Sequence, residues 1–214
     1  MSYNPNRTGM EPAMTHPLIA LARQSVSDPR GAARRLIDRN LPPPVLVDAA
    51  ALVAVLSGIS GWLFANLLLS LPAPPEVTAA ELAAARGEVA GPLSQAMVQA
   101  GGMVLIAAAI WILGRMFGGV GRAGGAVAIT IWLSALSLAA QIVLIVLLAL
   151  APPIAVLALI GWVVLNIWLL TSFIAELHDF DSAWSVFFAI LGLAFLLALG
   201  LALFGSLLGG VAGG

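Results

Sequence analysis

Five apolar stretches, at about residues 45–71, 93–117, 126–151, 154–175 and 183–208, constrain this chain more than any other feature. None carries an Asp, Glu, Lys or Arg near its middle. Each reaches the roughly 20 residues that a helix needs to cross a hydrocarbon core about 30 Å thick. Inside lipid every backbone N–H and C=O must be satisfied within the protein, which leaves the α-helix as the element for single apolar runs. Composition agrees: 61% of the 214 residues are hydrophobic and 9% are charged, against about 25% charged in soluble domains. The expectation is an all-α, polytopic membrane helix bundle with five transmembrane helices.

Three regions follow. Residues 1–15 are polar, contain Pro5, Gly9 and Pro12, and read as a disordered N-terminus. They hold no apolar signal region, so the first span is expected to direct insertion. Residues 16–43 read as two short amphipathic helices. Thr15 and Pro17 start the first, and Asp28-Pro29 starts the second, in the order N-cap then helical proline. Asn40 and Pro42-Pro43-Pro44 stop it. Their leucines and arginines suit the headgroup layer; packing on the protein's own cytoplasmic loops is the alternative. Residues 44–209 hold the five spans. The one sizeable loop, 72–92, contains a stretch from Thr78 to Glu88 that fits a short exposed helix.

Orientation comes from the arginines. There are nine, and no lysine. With the N-terminus in the cytoplasm, Arg86 alone falls on the far side, as the positive-inside tendency requires. That places the C-terminus outside and makes the chain a multi-pass protein of a cell inner membrane. Arg30, Arg34, Arg35, Arg39, Arg115 and Arg122 are the candidate membrane-surface contacts.

Chemical constellations are sparse. There is no cysteine, hence no thiolate ligand or nucleophile. Gly119-Val-Gly121-Arg-Ala-Gly124 fits the spacing of a dinucleotide fingerprint, but that motif works between a strand and a helix. Here it joins two membrane helices and reads as a flexible turn. Glu176, His178, Asp179 and Asp181 cluster without metal-motif spacing and read as a solvated turn before span five. Ser206 and His178 stand about 40 Å apart along span five at 1.5 Å per residue, so they form no hydrolase pair. No catalytic residue, cofactor, metal or nucleic-acid partner is expected.

The remaining candidates lie in the spans. Ser57, Gly58 and Gly61 form a small-residue face on span one, and Gly114 and Gly118 do so near the end of span two; such faces admit close helix packing. Intramembrane polar residues are costly in lipid and usually face protein. Asn66, Gln95 and Gln99 fall near the outer side, where they can bond one another, while Gln141 and Asn166 lie deeper. Helix-to-helix hydrogen bonding is the role expected of them.

Three stretches carry a family resemblance: Asp28-Pro29-Arg30 with Arg34-Arg35-Leu36, the turn Leu113-Gly-Arg-Met-Phe-Gly-Gly-Val-Gly121, and residues 165–185 with Glu176-Leu-His-Asp-Phe-Asp-Ser-Ala183. Together they resemble the Yip family, the Ypt/Rab-interacting five-span membrane proteins with many bacterial members. The resemblance implies a cytoplasmic N-terminus. Eukaryotic relatives bind prenylated small GTPases in vesicle traffic, but their Asp-Leu-Tyr-Gly-Pro-type motif is absent here, which argues against a small-GTPase partner. Asp179 stands where bacterial relatives often have glycine after the histidine. The function expected is a non-enzymatic scaffold that binds another integral membrane protein or itself, or organises membrane lipids. The alternative is a small oligomeric transporter or permeability factor.

Overall fold

The computed structural model describes residues 17–72 and 77–212. The polar start at 1–15 with its Thr15 cap, and Glu76 with Pro74-Pro75, lie outside them. Among the described residues the chain is helical throughout: α1 (Pro17–Ser27), α2 (Pro29–Asp38), α3 (Pro43–Ser70), α4 (Ala79–Glu88), α5 (Pro92–Met116), α6 (Ala123–Leu150), α7 (Pro152–His178) and α8 (Ala183–Ala212). Five of these, α3 and α5–α8, are long and apolar enough to cross a membrane. At 25–28 residues, α3, α5 and α6 measure about 37–42 Å. They overrun a 30 Å core and so extend into the headgroups or tilt.

Proline sets most starts. It occupies the first turn of α2, α3, α5 and α7, where its missing N–H costs nothing and its φ is already helical. Asp28 caps α2 by accepting from the Gly31 N–H at 2.9 Å. Thr78 and Glu81 form a reciprocal capping box on α4, which satisfies two orphan donors. α6 and α7 meet across Ala151 with no loop.

α3 packs on α5 and α6, α6 on α5 and α7, and α8 on α7. The helices run up and down, so the bundle has one end carrying α2 and another carrying α4. The lipid-facing flanks are apolar: Leu105, Leu157 and Phe195 are all exposed. The tightest packing gathers at the α2 end. Ala126 and Ile129 of α6 and Leu169, Phe173 and Ala175 of α7 are wholly inaccessible.

α2 packs on α7 and α6. Its apolar face, Ala32, Ala33 and Leu36, is buried there in protein, the alternative to lying on lipid. α1 is tied on by Trp132, almost three turns into α6, whose indole N–H donates to the Ser25 hydroxyl at 2.9 Å. α1 still leaves Leu18, Ile19 and Val26 about half exposed.

Candidate functional site

Two polar places stand out in this apolar bundle, one at each end. At the α2 end the glycine-rich turn between α5 and α6 closes on the last turn of α7. Hydropathy falls off after Ala175, yet α7 continues to His178, because the polar residues of its last turn find protein partners. Glu176 accepts from the Arg34 Nε at 2.6 Å. The Glu176 side chain is only 11% exposed and that of Arg34 is 68% exposed, so the carboxylate is the member that needs the pair. Glu176 holds the Arg34 guanidinium above its ordinary pKa, first by the hydrogen bond and then by charge. Arg30 donates to the Phe180 carbonyl at 2.8 Å and the Asp181 carbonyl at 3.1 Å.

His178 is 1% exposed. Within the turn 176–181, expected to be solvated, Asp179 and Asp181 are exposed but His178 is enclosed. The imidazole lies on three glycines: a Cβ at Gly114, Gly119 or Gly121 would overlap its ring. The Gly121 N–H donates to Nδ1 at 3.3 Å, and Nε2 sits 3.0 Å from the Ile110 carbonyl. This pair of contacts fits the neutral tautomer with hydrogen on Nε2, which donates to Ile110. The Val120 N–H reaches the His178 carbonyl at 3.4 Å. Gly119 and Gly121 thus cradle a histidine from another helix, while Gly124 of the same stretch faces open space.

α5 and α7 end alike at this cradle. The Gly119 N–H closes on the Gly114 carbonyl at 2.9 Å, and the Phe180 N–H on the Ala175 carbonyl at 2.8 Å. Each closure passes through one residue at positive φ, Gly118 at +88° and Asp179 at +58°, the left-handed stop that favours glycine. Gly118 meets no neighbour within 4 Å, so its role is this conformation and not helix packing. Gly114 does pack, against His178.

The candidate arginines divide. Arg30 binds the α7–α8 turn and Arg34 the last turn of α7. Arg35, Arg39, Arg115 and Arg122 are exposed at the same end without side-chain partners among the described residues.

The second place lies between α3, α5, α6 and α7, from mid-depth to the α4 end. It is a cavity of about 630 Å³. Ser57 and Ser137, near the middles of α3 and α6, line its inner part, and Ala90 its mouth. Gln95, Gln99 and Gln141 line its walls. Gly58 and Gly61 both face inward. A Cβ on Gly58 would lie 2.6 Å from the Ala96 nitrogen and the Pro92 carbonyl oxygen; Gly61 faces the Gln95 and Gln141 amides. The intramembrane polar set is therefore only partly brought together. Asn66 donates to the Trp62 carbonyl of its own helix at 2.8 Å and Gln95 to Ala90 at 3.1 Å. Asn166 donates to Ser137 at 3.2 Å, the one side-chain bond between spans in the set. Convergent polar groups at mid-depth, which the sequence reading did not foresee, are present in the fold.

Among the described residues no group of three His, Asp or Glu side chains could hold a metal ion. No curated protein and no solved structure matches the chain. The family model described as the Yip1 domain matches residues 23–204, which takes in both polar places, and the chain belongs to that family.

Proposed function

We propose that the protein is a non-enzymatic membrane scaffold that takes another integral membrane protein, or a second copy of itself, on its outer helix faces. The observation that carries this is a set of mid-helix glycines with nothing beside them: Gly101 on α5, Gly161 on α7, and Gly192 and Gly200 on α8. A helix-interior glycine costs about 1 kcal/mol relative to alanine. In membranes the usual compensation is close approach of another helix. Gly58, by contrast, is spent on α5 within the chain. On the arginine asymmetry we place the α2 end on the cytoplasmic side of the inner membrane. The exposed Arg35, Arg39, Arg115 and Arg122 then meet lipid headgroups there.

Purification of the tagged chain from its own membranes in mild detergent, with stoichiometry by mass spectrometry, tests this reading. A near-stoichiometric membrane partner or a homo-oligomer is expected, lost on Gly101→Ile, Gly161→Ile or Gly192→Ile while insertion persists. Recovery of a lone monomer contradicts it. The transporter reading draws its support from the polar cavity, and solute flux in liposomes, sensitive to Gln141→Leu, is its test.

A further inference from the structure

The cavity at the α4 end has an unusual chemistry for its depth. Its polar lining is wholly uncharged: glutamine amides and serine hydroxyls, each able both to donate and to accept. Among the described residues, the side chains of Gln99 and Gln141 have no hydrogen-bond partner, and neither do those of Ser57 and Ser134. These groups are half-buried, and at least Ser57 lies at the middle of its span. A polar group left unpaired in hydrocarbon costs several kcal/mol, so these amides call for water or a polar ligand inside the cavity. Gln95 and Asn166, by contrast, are met by the Ala90 carbonyl and the Ser137 hydroxyl. The volume, about 630 Å³, falls in the range of small-molecule sites. Trp162 and Phe64 add flat apolar walls beside the amides.

We infer that this cavity binds a neutral, multiply hydroxylated group, a sugar or polyol either free or carried as the headgroup of an uncharged lipid. Each hydroxyl is a combined donor and acceptor and so matches glutamine and serine. The C–H faces of such a group suit Trp162 and Phe64. A phosphate or ammonium is disfavoured, because the cavity offers no counter-charge and burying an unpaired ion is costly. Access is at the α4 end, past Ala90. The inference is independent of the scaffold reading, which concerns the outer helix faces.

The test uses the full chain in phosphatidylcholine nanodiscs. One arm adds free glucose or glycerol and follows the thermal transition; the other includes a monoglucosyl diacylglycerol and reads retained lipid by native mass spectrometry. Glucose or glycerol stabilisation identifies a free polyol, and retained glycolipid alone identifies a headgroup; either supports the shared chemistry. Gln99→Leu with Gln141→Leu is expected to lower binding at least tenfold. Ala90→Trp, which narrows the mouth and leaves the Gln99 and Gln141 amides in place, should do the same if the double variant folds poorly. No binding in either arm overturns the inference. So does unchanged binding in both variants, or preferential retention of an anionic phosphatidylglycerol.

Discussion

The two ends of the bundle solve the same problem in opposite ways. Both put polar groups among apolar helices. At the α2 end every polar atom of the His178 ring is matched by backbone, and three glycines remove the Cβ atoms that would keep it out. At the α4 end, Gln99 and Gln141 face a cavity with no protein partner. The difference follows from what covers each end. α2 lies over α6 and α7 and completes a core that includes Ile129, Leu169 and Phe173. α4 contributes no buried residue. A closed end and an open one give the molecule a fixed base and an accessible interior.

The largest effect should come from breaking the closed end. His178→Ala removes a filled volume and both ring hydrogen bonds, and is expected to cost about 3 kcal/mol, read as thermal stability in detergent. Gly114→Ala should cost about 2–3 kcal/mol by overpacking against the ring. The double variant should recover part of that loss, because the methyl group then occupies space the ring has left. Additive losses would mean that the cradle and the histidine are not in contact. The contrasting change at an outer face, Gly101→Ala, has open space around it and should leave the fold intact.

A smaller change sharpens the comparison from the other direction. Asp179 takes the left-handed stop that Gly118 takes one helix away. Left-handed backbone costs an L-residue about 1–2 kcal/mol, less for Asp. Asp179→Gly should therefore stabilise the α2 end by about 1 kcal/mol, seen as slower hydrogen exchange of the last α7 amides. Smaller still is Arg34→Ala. Its ion pair with Glu176 involves a largely exposed guanidinium that water screens, and its loss should show only as faster exchange of the last α7 amides.

The smallest effect belongs to the exposed α4. Hydrogen bonds from the Thr78 backbone and then its side chain hold Glu81 below the ordinary glutamate pKa. The capping-box contribution is therefore present above the unfolded value and is lost as pH falls through the lower, folded value. Acidification should lower the protection factors of the first α4 amides while the His178 cradle stays protected.

The spans were legible because lipid imposes one dominant rule, and the apolar runs from residues 45, 93, 126 and 154 begin within three residues of α3, α5, α6 and α7. The proline starts were equally readable. The end of α7 was not, because its partners past Ala175 are distant in sequence: Arg34 on Glu176, and Gly121 and Ile110 on His178. His178 looked like a turn residue for the same reason. The surrounding glycines were a signal, since Gly114, Gly119 and Gly121 together mark missing volume that something large must fill. Nor can composition separate Gly58, packed on Ala96, from Gly101, which faces nothing. The polar residues were found, but their pairing was not. Asn166 bonds Ser137, one turn from Gln141 on α6, and leaves Gln141 to the cavity.

The most direct measurement is thiol labelling of single-cysteine variants, for which the natural absence of cysteine provides a clean background. Gln141→Cys and Leu169→Cys in liposome-embedded protein would be exposed to a membrane-impermeant maleimide from the α4 side. The structure predicts rapid labelling at position 141, slowed by Ala90→Trp, and none at position 169 in the closed end. No labelling at 141, or equal labelling at both, would contradict the division into a closed α2 end and an open α4 end.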